Sequence, residues 1–263
     1  MLIKVTNKCT MGCSHCMENA IPEGKHMSLE LFKKALDFSD RLEILARKGG
    51  YKLILISGGE CSENPELVPM IEEIIKRGLS PAILTNGMWL ANKKLRQSIL
   101  RPEWPELFVQ VTNDPRFYPK KPPIVDDPRI TYVDSLLHMI PLGRFKGQTH
   151  GEIPTRRGPS SFNLRSLTRH FSDVRTAIAY LRLKVMDRSL LTGHCTPSIT
   201  HGGGVVAGES IACFQIGTVE SKPEEITHNL RKMKCNQCGL VDGLSTEQKR
   251  SIWGAPHVHY FKP

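Results

Sequence analysis

No stretch of eighteen apolar residues occurs in this chain of 263 residues, so it encodes no helix long enough to span a bilayer. The first residues lack the charged-then-apolar pattern of an export signal. Instead the chain opens on the apolar run Leu2-Ile3-Lys4-Val5-Thr6, which reads as a core strand, so no targeting extension is expected. Internal repeats and low-complexity tracts are missing too. Acidic residues are in short supply: 26 against 36 basic ones, a formal net charge of +10. Hydrophobic residues at 40% and charged residues at 24% are ordinary globular proportions. The length suits one large α/β domain with a small appendage. Eight cysteines without an export signal point to a reducing cytoplasm, where metal ligation is favoured over disulfides.

Three of those cysteines crowd together in Cys9-Thr10-Met11-Gly12-Cys13-Ser14-His15-Cys16, at the spacing C-x₃-C-x-H-C, just after the first apolar run. A zinc site would pair such cysteines with a distant second pair. A disulfide knot belongs to secreted chains.

Beyond this loop the pattern alternates. Ile21-Pro22-Glu23-Gly24 reads as a turn. Ser28 is placed to cap a helix with an apolar stripe at Leu31, Phe32, Ala35, Leu36, Leu42 and Leu45, ended by Gly49-Gly50. Leu53-Ile54-Leu55-Ile56 reads as a buried strand, and Asn64-Pro65 as the start of a second helix that stops at Gly78. A strand at 82–84, a helix at 92–100 and a strand at 107–111 follow. Beyond residue 115 prolines are dense. A strand at 129–133 and helical character at 163–185 stand out. Strand–helix alternation predicts parallel strands with helices outside, and ligand sites at the carboxyl ends of the strands. Every polar cluster falls there: the cysteine loop, Ser57-Gly58-Gly59-Glu60, Thr85-Asn86-Gly87 and Thr112-Asn113-Asp114.

A strand leading into this cysteine loop resembles the radical S-adenosylmethionine (SAM) enzymes. The resemblance implies a partial (β/α)₆ TIM-like barrel over residues 1–190. It implies a [4Fe–4S] cluster on Cys9, Cys13 and Cys16, with one iron left open for the amino and carboxylate groups of SAM. Fe–S clusters usually take four thiolates, so the missing fourth is what keeps that iron open. His15 would pack near the adenine. Ser57, Gly58, Gly59 and Glu60 resemble the family's GGE motif, whose glycines admit the methionyl group and whose carboxylate helps hold its amino group. Asn86 resembles a turn at the cofactor rim, and Thr112 and Asn113 fall where ribose contacts are often placed. Cys61 stands where the family most often has proline. It is either a packed passenger or a hydrogen donor. The implied chemistry is one-electron cleavage of SAM to methionine and a 5′-deoxyadenosyl radical, which takes hydrogen from a substrate C–H bond. The electron would come from a flavodoxin- or ferredoxin-type reductant.

Cys195, Cys213, Cys235 and Cys238 form a second set. The spacing C-x₁₂-G-x₄-C, then a helix near 224–234 and a C-x₂-C pair, resembles a twitch domain carrying a closed auxiliary [4Fe–4S] cluster over 191–263. The sequence between the first two, with 198–200 and 205–207 flanking His201-Gly202-Gly203-Gly204, reads as a β-hairpin. A structural Zn²⁺(Cys)₄ site has similar pairings. A closed cluster would serve as electron acceptor in an oxidative modification of a small molecule or peptide. A second possibility comes from residues 140–184, with nine basic and two acidic residues. Either this is a solvated basic face, or it meets an anionic substrate or partner such as a nucleotide or nucleic acid. Few aromatics accompany it, so no base-stacking platform is evident. The third possibility, an Fe–S or zinc module that binds nucleic acid without catalysis, gives Gly58, Gly59 and Glu60 no role.

Overall fold

The computed structural model describes residues 1–41, 53–112, 118–133, 142–146, 197–208 and 210–232. Five strands alternate with three helices in the order β1 (Leu2–Lys4), α1 (Leu29–Arg41), β2 (Leu53–Ser57), α2 (Leu67–Lys76), β3 (Ser80–Thr85), α3 (Lys93–Ile99), β4 (Phe108–Thr112) and β5 (Ile130–Val133). Then come β6 (Ser198–Ile199), β7 (Gly204–Val206), β8 (Gln215–Thr218) and α4 (Pro223–Lys232). They make one eight-stranded sheet in the order β5-β4-β3-β2-β1-β6-β7-β8. β1 to β6 run parallel, and β7 and β8 are antiparallel.

β-branched side chains fix the register. Ile3, Ile56, Ile83 and Val109 are partners across four neighbouring strands, and each is 0% exposed. Burying each is worth roughly 1.5–3 kcal/mol, and a one-residue slip would turn the row to the other face. α1 and α2 bring Phe32, Leu36, Met70, Ile71 and Ile74 into the same core.

Local signals hold where they are local. The Ser28 hydroxyl oxygen accepts from the Leu31 N–H, capping α1 as expected, and Asn92 Oδ1 accepts from Leu95 N–H at 3.1 Å and caps α3. The second helix starts later than Asn64-Pro65 suggests. A single 3₁₀ turn, Cys61–Glu63, comes first, and α2 begins at Leu67. Asn64 has a longer-range task. It is 2% exposed, its Nδ2 donates to the carbonyls of Val5 and Met27 at 2.9 and 3.0 Å, and Oδ1 accepts from Glu66 N–H.

The hairpin expected near residue 200 is present as β6 and β7, with Gly203 at φ 80° in its turn. β6 is hydrogen-bonded to β1, so this segment is continuous with the main sheet. The expected stripe residues Leu42 and Leu45, the stop at Gly49-Gly50 and the helical stretch 163–185 lie outside the described residues. Among the described residues, no helix is long and apolar enough to cross a membrane.

Candidate active site

The polar clusters at the strand ends are bonded to one another. Beyond β1 and β2 the two chains stay paired: Gly59 N–H donates to the Thr6 carbonyl and Glu60 N–H to the Lys8 carbonyl, both at 2.8 Å. This approach is what the glycines permit. A Cβ on Gly58 would sit 2.2 Å from the Thr6 oxygen, and one on Gly59 2.2 Å from the Lys8 oxygen. Gly58 also has φ 141°, a region that side chains rarely enter. In the protein alone these glycines admit the backbone leading to the cysteine loop, an immediate steric reason separate from any ligand.

Glu60 is 3% exposed and ties β2 to β3. Its Oε1 accepts from Ser62 N–H (3.0 Å), the Ser62 hydroxyl (2.7 Å) and the Thr85 hydroxyl (2.7 Å). Oε2 accepts from Asn86 N–H at 2.8 Å. A carboxylate offers about four acceptor positions, so capacity for a further donor lies on Oε2. Asn86 Oδ1 accepts from Met88 N–H, and Gly87 turns the chain at φ 73°. Ser57 gives its carbonyl to Val5 N–H.

Cys9, Cys13 and Cys16 are free and half-buried. Burial raises the Cys9 thiol to about 11 and the Cys13 thiol to about 12. Mutual repulsion adds to the shift, with Cys9 and Cys16 both acting on Cys13, so the three sulfurs share one neighbourhood. Among the described residues, no three such side chains are compact enough for a single metal ion. Three free thiols on one short loop are the donor chemistry an iron–sulfur cluster takes.

The loop that carries the thiols is clamped from both sides. Glu63 Oε1 accepts from Thr10 N–H and the Thr10 hydroxyl. Arg144 bonds the carbonyls of Cys13, Cys16 and Ala20. Ser210, 0% exposed, donates to the Met17 carbonyl at 2.6 Å. Glu18 is ion-paired with Lys4 of β1, a lysine 1% exposed, and its Oε2 accepts from Ile211 N–H at 3.0 Å. Cys213, whose N–H bonds the Ser210 carbonyl, therefore belongs to a segment docked on the cysteine loop.

Sequence reasoning missed Tyr118. Its ring meets His15 edge to face at 5.3 Å, and its hydroxyl is hydrogen-bonded to Thr112. Burial, and then the nearness of Cys13, push this phenol well above its ordinary pKa. Tyr118 thus joins the end of β4 to the motif histidine. Arg144 and the Lys4–Glu18 pair were missed as well; the lysine inside an apolar run was the one available signal. Cys61 is fully buried, with its thiol directed at Glu60 Oε1 and the Leu84 carbonyl, and burial holds it protonated. Asn113, Cys195, Cys235 and Cys238 lie outside the described residues, as does most of 140–184.

Comparison with known proteins finds a family likeness over the first part of the chain. Residues 3–115 match the family described as the Radical SAM superfamily. The chain is 29% identical over 99 residues to the "Tungsten-containing aldehyde ferredoxin oxidoreductase cofactor-modifying protein" of Pyrococcus furiosus, covering 37% of this chain and 26% of that one. It is 28% identical over 93 residues to the "Antilisterial bacteriocin subtilosin biosynthesis protein AlbA" of Bacillus subtilis, covering 35% and 19%. The chain thus spans about a quarter or less of these relatives' length. Among solved structures, SuiB of Streptococcus suis bound to S-adenosylmethionine superposes with TM-score 0.49 and 11% identity, covering 91% of this chain and 70% of that one. SuiB bound to precursor peptide SuiA gives 0.44 and 10%, covering 97% and 64%. The match to the Radical SAM superfamily covers residues 3–115, less than half of the chain, and the two curated relatives are similar over shorter stretches. That family implies SAM, a [4Fe–4S] cluster and a source of electrons.

Proposed function

We propose that the protein is a radical SAM enzyme whose cluster is held by Cys9, Cys13 and Cys16. The observation that carries this reading is the joining of two motifs. Gly59 and Glu60 are hydrogen-bonded directly to the segment entering the three-cysteine loop, at the carboxyl ends of parallel strands. When bound, the cluster and SAM supply the one-electron chemistry that makes a 5′-deoxyadenosyl radical. This chain's residues do the rest. Gly58 and Gly59 let the two loops meet. Glu60 Oε2 would accept from the SAM ammonium, Asn86 and Thr112 would face the cofactor at the rim, and His15 with Tyr118 would form a wall for the adenine. A flavodoxin- or ferredoxin-type protein delivers the electron. Cys61, buried among core side chains, is assigned to packing.

The reaction we propose is an oxidative modification of a small molecule or peptide. The names of the two curated relatives, one a cofactor-modifying protein and one a bacteriocin biosynthesis protein, support this class of outcome. Cys195, Cys213, Cys235 and Cys238 are proposed to hold a second, closed [4Fe–4S] cluster in a twitch-type unit spanning 191–263, beside the partial barrel of 1–190. That cluster would accept the electron left on the substrate.

Metal analysis with Mössbauer spectroscopy after anaerobic reconstitution tests the pair of sites. The expected result is two clusters per chain without zinc, and loss of about half the iron in a Cys235→Ala/Cys238→Ala variant that still cleaves SAM. One cluster with stoichiometric zinc would remove the auxiliary cluster and the reason for an oxidative outcome. No cluster at all would remove the enzyme reading.

A further inference from the structure

The basic stretch suggests a surface for an anionic partner, yet the part that the structure describes turns inward. Leu142 and Phe145 are buried at 5% and 1% exposure and anchor the single turn Gly143–Phe145. Gly143 has φ 58°, and a Cβ there would lie 2.4 Å from the Met17 carbonyl oxygen, so the turn lies directly on the cysteine loop. Arg144 then gives that loop three bonds. Its backbone N–H donates to the Cys16 carbonyl at 2.9 Å, Nη1 to the Cys13 carbonyl at 2.6 Å, and Nη2 to the Ala20 carbonyl. Two of these acceptors belong to candidate cluster ligands.

We propose that Arg144 is a positioning residue for the cluster, fixing residues 13–20 in ligating shape and setting a permanent positive charge beside the group held by Cys9, Cys13 and Cys16. This rests on the proposed reading of those three thiols as cluster ligands. Reduction brings in one electron from the external reductant and thus one negative charge. A nearby fixed cation favours the reduced form, because cluster potentials follow net charge and hydrogen bonding. Arginine suits this place because its guanidinium stays protonated and reaches two carbonyls at once. A lysine would keep the charge and lose the fork.

The test is an EPR-monitored redox titration of reconstituted wild type, Arg144→Gln and Arg144→Lys, with iron measured in each. For Arg144→Gln the ratio of reduced to oxidised cluster at a given potential should fall about tenfold, which is about 59 mV for one electron. Arg144→Lys should stay within about twofold of wild type. An Arg144→Gln protein that keeps its iron and titrates at the wild-type potential would overturn the proposal. If Arg144→Gln takes up no iron, Arg144→Lys decides: a loaded cluster at the wild-type potential supports the charge role, a loaded cluster at a displaced potential overturns it, and lost iron in a protein whose circular dichroism matches wild type supports the positioning role of the fork. Failure of the underlying reading looks different. Wild type would then hold no cluster that Cys9/Cys13/Cys16→Ala removes, and both readings fall together.

Discussion

Replacing Cys9, Cys13 and Cys16 together by alanine is expected to abolish release of 5′-deoxyadenosine from SAM while leaving about half of the wild-type iron, the share held at the second site. The loss should be complete, because no other candidate cluster in the proposal keeps an open iron. The loop itself should survive. Its clamps are bonds to backbone carbonyls from Arg144 and Ser210 and the Glu63 contact with Thr10, none of which uses a thiol. Circular dichroism should therefore match wild type. Persistent reductive cleavage of SAM by this variant would show that the cluster ligands have been misassigned.

Glu18→Ala should be the most damaging single change to stability. It strands the Lys4 ammonium, 1% exposed on β1, and frees the Ile211 amide that fastens the Cys213 segment to the cysteine loop. Breaking a buried pair from one side costs about 3–5 kcal/mol, since the remaining charge keeps its desolvation penalty without its partner. Chemical denaturation would measure it. The double variant Lys4→Met/Glu18→Leu should recover most of the loss, because apolar replacement of both partners removes the stranded charge. A Glu18→Ala protein within about 1 kcal/mol of wild type would mean that water reaches Lys4 and the pair contributes little.

What could be read from the sequence follows from the range of the interactions. Ser28 was legible as a cap because a cap is satisfied within three residues. The strand–helix alternation was legible because burial repeats with local period. Asn64 looked like another cap, yet its carboxamide bonds Val5 and Met27, 59 and 37 residues away. Gly58 and Gly59 were recognised as a motif, but their contact with the Thr6 and Lys8 carbonyls depends on the parallel pairing of β1 with β2. Glu60 was singled out for a ligand, while its bonds to Thr85 and Asn86 appear only once β3 lies beside β2. Arg144 was counted as one charge in a basic stretch. Its bond to Cys13 spans 131 residues, and nothing in the local composition marks it. Tyr118 escaped notice for the same reason, since its partner His15 sits on a different strand's loop.

The central claim is that SAM binds the open iron of a cluster on Cys9, Cys13 and Cys16, with Glu60 beside it. It is tested most directly by EPR of the reduced protein with and without SAM. To isolate this signal, the Cys235→Ala/Cys238→Ala background is used, in which the proposed second cluster is removed. SAM should change the spectrum of the remaining cluster, and a Glu60→Ala substitution should raise the SAM concentration needed, by roughly tenfold or more if a charge-assisted bond is lost. A spectrum that ignores SAM at saturating concentration would contradict the account.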